Sequence, residues 1–135
     1  MGLNVKYSEH PPRYKEIIAV FPEATKRGVI FTFGDTVYVP DGETLTPSLK
    51  SHEAVHVTRQ VKMGADLWWD KYLVDPQFRL DEELPAHRAE YYAFKSLVHD
   101  REQVSQHLNL IAGRLAGPLY GGLVTLAGAR RLIMK

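Results

Sequence analysis

Apolar positions near the start of the chain follow a helical period. Ile17, Ile18 and Phe21 share one face of a helix that begins behind Pro11-Pro12 and ends at Pro22. The period then shortens. Residues 29–33 and 36–39 are rich in β-branched and aromatic side chains, which predicts two strands. Gly34-Asp35 between them has the chemistry of a two-residue hairpin turn, and Pro40-Asp41-Gly42 ends the second strand.

From Thr46 onward the signals are those of helix boundaries. Thr46-Pro47 predicts an N-cap followed by an N1 proline, opening a helix over 47–63 with Gly64 just past its end. Asp66 is the expected cap of a second helix, "LWWDKYL", which Asp75-Pro76 should stop. Asp81 is the expected cap of a third, 82–99, with Pro85 tolerated inside its first turn. Asp100 should cap a fourth over 101–116, before Gly117-Pro118, and a short helix is expected from about Thr125. The sum predicts an α+β chain that is mostly helical. A small β-hairpin precedes a central helix, and a bundle-like helical part follows.

The 135 residues match one domain, and no repeat or low-complexity linker divides them. With 44% hydrophobic and 24% charged residues the composition is globular. A net charge of +1 gives no electrostatic reason to expect nucleic acid. The absence of cysteine excludes disulfides, thiolate metal sites and cysteine nucleophiles, and fits a reducing compartment such as the cytoplasm. The apolar stretch 119–129 is broken by glycines and is too short to span a membrane, and the N-terminus lacks the pattern of a signal peptide.

The central helix carries His52-Glu53-Ala54-Val55-His56. Residues four apart on a helix point the same way, so His52 and His56 can offer two imidazoles to one zinc ion. Glu53, one step around, can face a zinc-activated water and move its proton without ligating the metal. A catalytic zinc needs a third protein ligand and an open position. His87, Glu82, Glu83 and Glu90 are the candidates, and Glu83, His87 and Glu90 share one helical face. The competing expectations are a zinc-binding accessory or regulatory protein without turnover, and a metal-free helical interaction protein.

At this motif the sequence resembles the gluzincin metallopeptidases. In those enzymes the third ligand is a downstream helical glutamate, often followed by a small residue at +3 and a polar one at +4. "Glu83-Leu84-Pro85-Ala86-His87" has that form. The resemblance therefore implies Glu83 as ligand, with Ala86 allowing close helix approach and His87 beside the ligand; Glu90, followed by Phe94 at +4, fits less well. The run "HEAVHVTRQ", "LWWDKYL", "FRLDEELPAHRAEYYAF" and "LAGPLYGGLVTLAGARRLI" also resembles small HExxH proteins of phages and prophages, classed mostly as metallopeptidases with substrates unassigned. It implies a single minimal zincin-like domain over 1–135, located in a bacterial cytoplasm or associated with a phage. Its substrate would be a peptide or protein.

Such chemistry requires a donor for the developing oxyanion, and Tyr120, His87 and Tyr91 are the candidates. Tyr120 stands beside Gly121-Gly122, where a backbone can approach a ligand closely. Trp68 and Trp69 are expected to pack internally. Glu82 is expected as a dipole partner at a helix N-terminus, Arg59 and Arg88 as surface charges or partners of site carboxylates, and His10, His99 and His107 as surface residues. Arg130, Arg131 and Lys135 place positive charge at a helix C-terminus. The strand 36–39 would serve as a cradle for an extended peptide if one of its edges were free.

Overall fold

The computed structural model describes residues 2–135. Three strands, β1 (Asn4–Tyr7), β2 (Phe31–Phe33) and β3 (Thr36–Val39), form one sheet in the order β1-β3-β2. Six helices accompany it: α1 (Tyr14–Val20), α2 (Pro47–Met63), α3 (Ala65–Val74), α4 (Pro76–Leu97), α5 (Arg101–Leu115) and α6 (Leu126–Met134). Short 3-10 turns cover Pro22–Thr25 and Pro118–Tyr120. The fold is the mostly helical α+β arrangement expected from the sequence. Among the described residues no helix is long and apolar enough to cross a membrane.

The hairpin forms as its residues dictate. Phe33 pairs with Thr36 across Gly34-Asp35, and Gly34 takes the positive φ of 64° that the turn needs. β1 was not expected. It adds to the far side of β3 in parallel, Val5 opposite Val37, and Asn4 Nδ2 donates to Thr36 Oγ1 at 2.9 Å. β3 is therefore the central strand, and all four of its residues are buried. That corrects the idea of β3 as a peptide cradle, because both its edges are already paired. The outer edge of β2 is engaged as well, since the Thr32 carbonyl accepts from Gln60 Nε2 at 2.9 Å and Trp69 Nε1 at 3.1 Å.

α2 runs between the expected limits. Thr46 caps it by accepting from the Leu49 amide, and Gly64 ends it at φ 99°. Gly64 also opens α3, where its carbonyl accepts from Trp68 N at 3.0 Å. Asp66 is thus not the cap of α3; it lies in the first turn, 3.5 Å from Arg13. α4 starts six residues before the expected position. Asp75 caps it through the Gln77 amide and Pro76 occupies N1, so the pair read as a stop is a start. Pro85 consequently lies in the helix interior. It has no N–H for the carbonyl of Asp81, which is exposed and can turn to water.

Two apolar clusters flank the α2–α4 pair. One joins Leu80 and Tyr91 of α4 to Leu108, Ile111 and Leu115 of α5 and Ile133 of α6. The other joins Ile17, Phe31 and Tyr38 to Trp68, Trp69, Tyr72 and Leu73. Between them the binary pattern inverts. The buried residues of α2 are Ser48, His52, Glu53, His56 and Gln60, all polar. They meet Glu82, Glu83, His87 and Glu90 of α4, also buried. Burying that many polar groups is costly unless each is paired or serves a ligand.

Candidate metal centre

His52 and His56 lie one helical turn apart, and their Nε2 atoms approach to 3.2 Å. Glu83 reaches across from α4. Its Oε1 is 3.1 Å from His56 Nε2 and 3.3 Å from His52 Nε2. Three ligand-type atoms therefore form a nearly equilateral triangle. A tetrahedral ion about 2.0–2.1 Å from each ligand separates them by roughly 3.3 Å, so the triangle has the size of one face of a zinc coordination shell. Wider groupings, His52 with Glu83 and His87, and His52 with Glu53 and His56, keep their ligand atoms within 4.8 Å of one another. The donors fit a metal in chemistry too: two imidazoles and a carboxylate are a ligand set suited to zinc.

Two of the three corner residues, His52 and Glu83, are oriented from behind. Glu90 Oε1 lies 2.9 Å from His52 Nδ1. A carboxylate accepts, so Nδ1 carries a proton, and once the ring is neutral its Nε2 lone pair faces the triangle. Glu90 thus supports a histidine rather than completing the triangle. Tyr72 donates to Glu83 Oε2 at 2.7 Å, which leaves Oε1 for the histidines. Tyr72 was absent from the sequence reading; its position four residues after Trp68, on the inner face of a helix that follows the motif, was the available signal.

His87 is buried and its Nδ1 donates to the Glu83 carbonyl at 2.7 Å. Nε2 is then a bare acceptor in the neutral ring, and it has no partner among the described residues. Burial and the His52 charge together lower the His87 pKa to about 4, so the ring is neutral at physiological pH. As an oxyanion donor, the role expected for it beside Tyr120 and Tyr91, His87 would need a proton at Nε2, which this tautomer lacks.

Four further buried atoms lack hydrogen-bond partners among the described residues: Glu53 Oε2 and His56 Nδ1 at the cluster, and Thr32 Oγ1 and His107 Nε2 outside it. Burial raises the Glu53 pKa, partly opposed by His52 and His56. For His52, burial disfavours the charge, yet the Glu83 and Glu90 carboxylates outweigh it and push the pKa up to about 10. Glu83 moves the opposite way. Burial raises it, but the two histidines hold it well below the usual carboxylate range. These directions describe the metal-free protein, in which protons occupy the place a cation could take.

A cavity of about 860 Å³ opens onto this cluster. Its walls include His52, Glu53, His56, Glu83, His87 and Tyr120. Tyr120 lines the cavity beside Tyr72 while also packing in the α4–α5–α6 cluster, and burial keeps its hydroxyl protonated. Gly121 owes its identity to packing. It has φ 77°, and a Cβ there would come within 2.9 Å of Pro76, so its close approach is to α4 and not to a ligand. Arg79 secures the same segment, donating to the carbonyls of Leu119 and Tyr72 at 2.8 and 2.6 Å. Tyr91 packs in the α4–α5–α6 cluster instead, away from the cavity lining.

Other expectations shift. Glu82 is buried in the second turn of α4, held by Arg59 at 2.6–3.0 Å and by Trp68 Nε1 at 2.7 Å. Its role is to tie α4 to α2 and α3, which replaces the expected one of dipole partner. Arg88 donates to the Leu132 carbonyl at 2.8 Å, anchoring α6. His107 is not a free surface residue: it stacks on Phe94 with centroids 4.1 Å apart, and its Nε2 lies 2.9 Å from Glu90 Oε2. Trp68 and Trp69 are buried, as expected.

No family model, curated protein or solved structure matches this chain.

Proposed function

We propose that the chain is a zinc-dependent metallohydrolase, acting on peptide bonds, with His52, His56 and Glu83 as ligands. One observation carries this reading: the triangle of His52 Nε2, His56 Nε2 and Glu83 Oε1, at 3.1–3.3 Å, stands at a cavity that also holds the unpartnered carboxylate oxygen of Glu53. A closed structural site would have no use for a free buried base beside an open cavity.

Zinc in this position supplies a Lewis acid for a carbonyl and a water acidified toward neutrality. The residues of the chain do the rest. Glu90 fixes the His52 tautomer at Nδ1, and Tyr72 fixes the rotamer of Glu83 through Oε2. Glu53 accepts the proton of the attacking water at its free oxygen and returns it to the leaving amine. Its raised pKa makes it a stronger base than an ordinary carboxylate for that transfer. Tyr120, protonated on the cavity wall, is the hydroxyl available to the developing oxyanion.

The test is elemental analysis of purified protein, joined to turnover of unfolded casein and of a quenched peptide library. One zinc per chain with chelator-sensitive cleavage is expected. Zinc without cleavage of any substrate would favour a non-catalytic zinc protein, and absence of metal would end the reading.

A further inference from the structure

Two arginines line the cavity, and they are differently employed. Arg79 is buried and spends its N–H groups on the carbonyls of Leu119 and Tyr72. The guanidinium of Arg114, on α5, makes no hydrogen bond among the described residues, and the side chain is 48% exposed. Its nearest anion is Glu90 Oε2 at 3.9 Å, beyond hydrogen-bond range. That carboxylate already accepts from His52 through Oε1, and His107 Nε2 stands 2.9 Å from its Oε2 without forming a hydrogen bond. The guanidinium therefore stands at the cavity wall with its donor fork unused. The wall beside it is kept open by Gly113, where an added Cβ would meet nothing within 4 Å. The same cavity is lined by the apolar side chains of Ile17, Val20, Phe21 and Val29, and by Glu23.

We infer that Arg114 is a specificity-determining residue whose open guanidinium, beside Gly113 in a cavity that also carries apolar lining residues, binds a carboxylate of the peptide substrate. This rests on the hydrolase reading and names the substrate class: a peptide bearing an anionic group close to the bond to be cut. Arg114 lies one carboxylate away from the back of His52, so the anion sits within roughly one to three extended residues of the scissile carbonyl. A guanidinium matches a carboxylate in a planar, two-bond geometry that an amide cannot reproduce. The carboxylate can come from the chain's C-terminus or from an aspartate or glutamate side chain, and the two sources are separable.

The experiment uses the zinc-loaded full chain carrying Glu53→Gln, which binds without cutting. A randomised N-acetyl pentapeptide library is prepared both as C-terminal acids and as C-terminal amides, and retention on the protein is quantified by mass spectrometry. Acids retained about 10- to 100-fold over amides identify a C-terminal carboxylate, and enrichment confined to Asp- or Glu-containing amides identifies a side-chain carboxylate. Adding Arg114→Gln should collapse either preference, and Arg114→Lys should restore part of it. Lack of preference, lack of retention of every peptide, or a preference that survives Arg114→Gln overturns the inference. Thermal melts confirm that each variant is folded, and zinc analysis of the same samples separates this failure from failure of the metal assignment.

Discussion

His52 Nε2 and His56 Nε2 face each other at 3.2 Å, one turn apart on α2, with Glu83 Oε1 completing the triangle. Two bare imidazole nitrogens repel at that distance; a proton or a cation must lie between them. Replacing any corner should therefore cost metal. His52→Ala, His56→Ala and Glu83→Gln should each lower zinc affinity by more than about 100-fold, beyond the loss caused by removing an outer partner of a ligand. Competition titration against a chromophoric chelator measures this. A Glu83→Gln protein that keeps wild-type affinity would remove Glu83 from the ligand set.

Glu53 is close to the same cluster yet has a free oxygen, which separates its role from that of a ligand. Glu53→Gln keeps the shape of the side chain and removes the base. Zinc content should stay at one per chain while kcat falls by about 10²–10⁴-fold. Steady-state kinetics with parallel metal analysis decides the point, and substantial turnover by the glutamine variant refutes the assigned proton transfer.

Protons and metal compete for one place. The His52 pKa is raised to about 10 in the metal-free fold, so its contribution to stability is complete below its unfolded value, near 6.5, and is lost as pH rises through 10. Zinc binding requires the neutral ring and has the opposite dependence. Between pH 6.5 and 9, binding should release at least about one proton, and affinity should rise about tenfold per pH unit for each proton released. Calorimetry in buffers of different ionisation enthalpy reads the proton count directly. A count of zero would show that His52 is not titrating with the metal.

Tyr72 tests whether the outer partners matter. Its hydroxyl is the only donor to Glu83 Oε2 among the described residues, at 2.7 Å. Tyr72→Phe should reduce zinc affinity by about 10–100-fold. A merely structural role would lower the melting temperature equally with and without zinc. The assignment predicts a larger loss in the zinc-loaded form.

What was legible in the sequence follows from how local each signal is. α2 announced itself through Thr46, Pro47 and Gly64, and its i, i+4 histidines needed no tertiary information. The hairpin was equally local, carried by Gly34-Asp35. The start of α4 was not, because Asp75-Pro76 has the same chemistry whether it ends one helix or begins the next. β1 was hidden for a different reason: Asn4–Tyr7 is short and mostly exposed, and it becomes a strand only through pairing with β3, some 32 residues away. Tyr72, Glu90, His107 and Arg114 belong to three different helices, so no spacing rule relates them to His52. Glu82 was misread because its partners, Arg59 and Trp68, are set by the packing of three helices.

Gln60 closes the polar stripe of α2, and its environment gives a stability prediction independent of metal. The side chain is fully buried. Its Oε1 accepts from the Gly34 amide at 2.7 Å and its Nε2 donates to the Thr32 carbonyl at 2.9 Å, pinning the hairpin to the helix that bears the histidines. Gln60→Leu has nearly the same size but leaves the Gly34 N–H without a partner inside the protein. The Thr32 carbonyl keeps Trp69 Nε1 as a donor, so one orphaned group dominates the cost. The loss should be about 1–3 kcal/mol, seen as a lower urea midpoint with an unchanged slope. The Gln60 side chain hydrogen-bonds none of the three ligands, so zinc stoichiometry should remain one per chain. A variant as stable as wild type would mean that the hairpin is held by its apolar contacts to Ile17, Trp69 and Tyr72 rather than by this pair of hydrogen bonds.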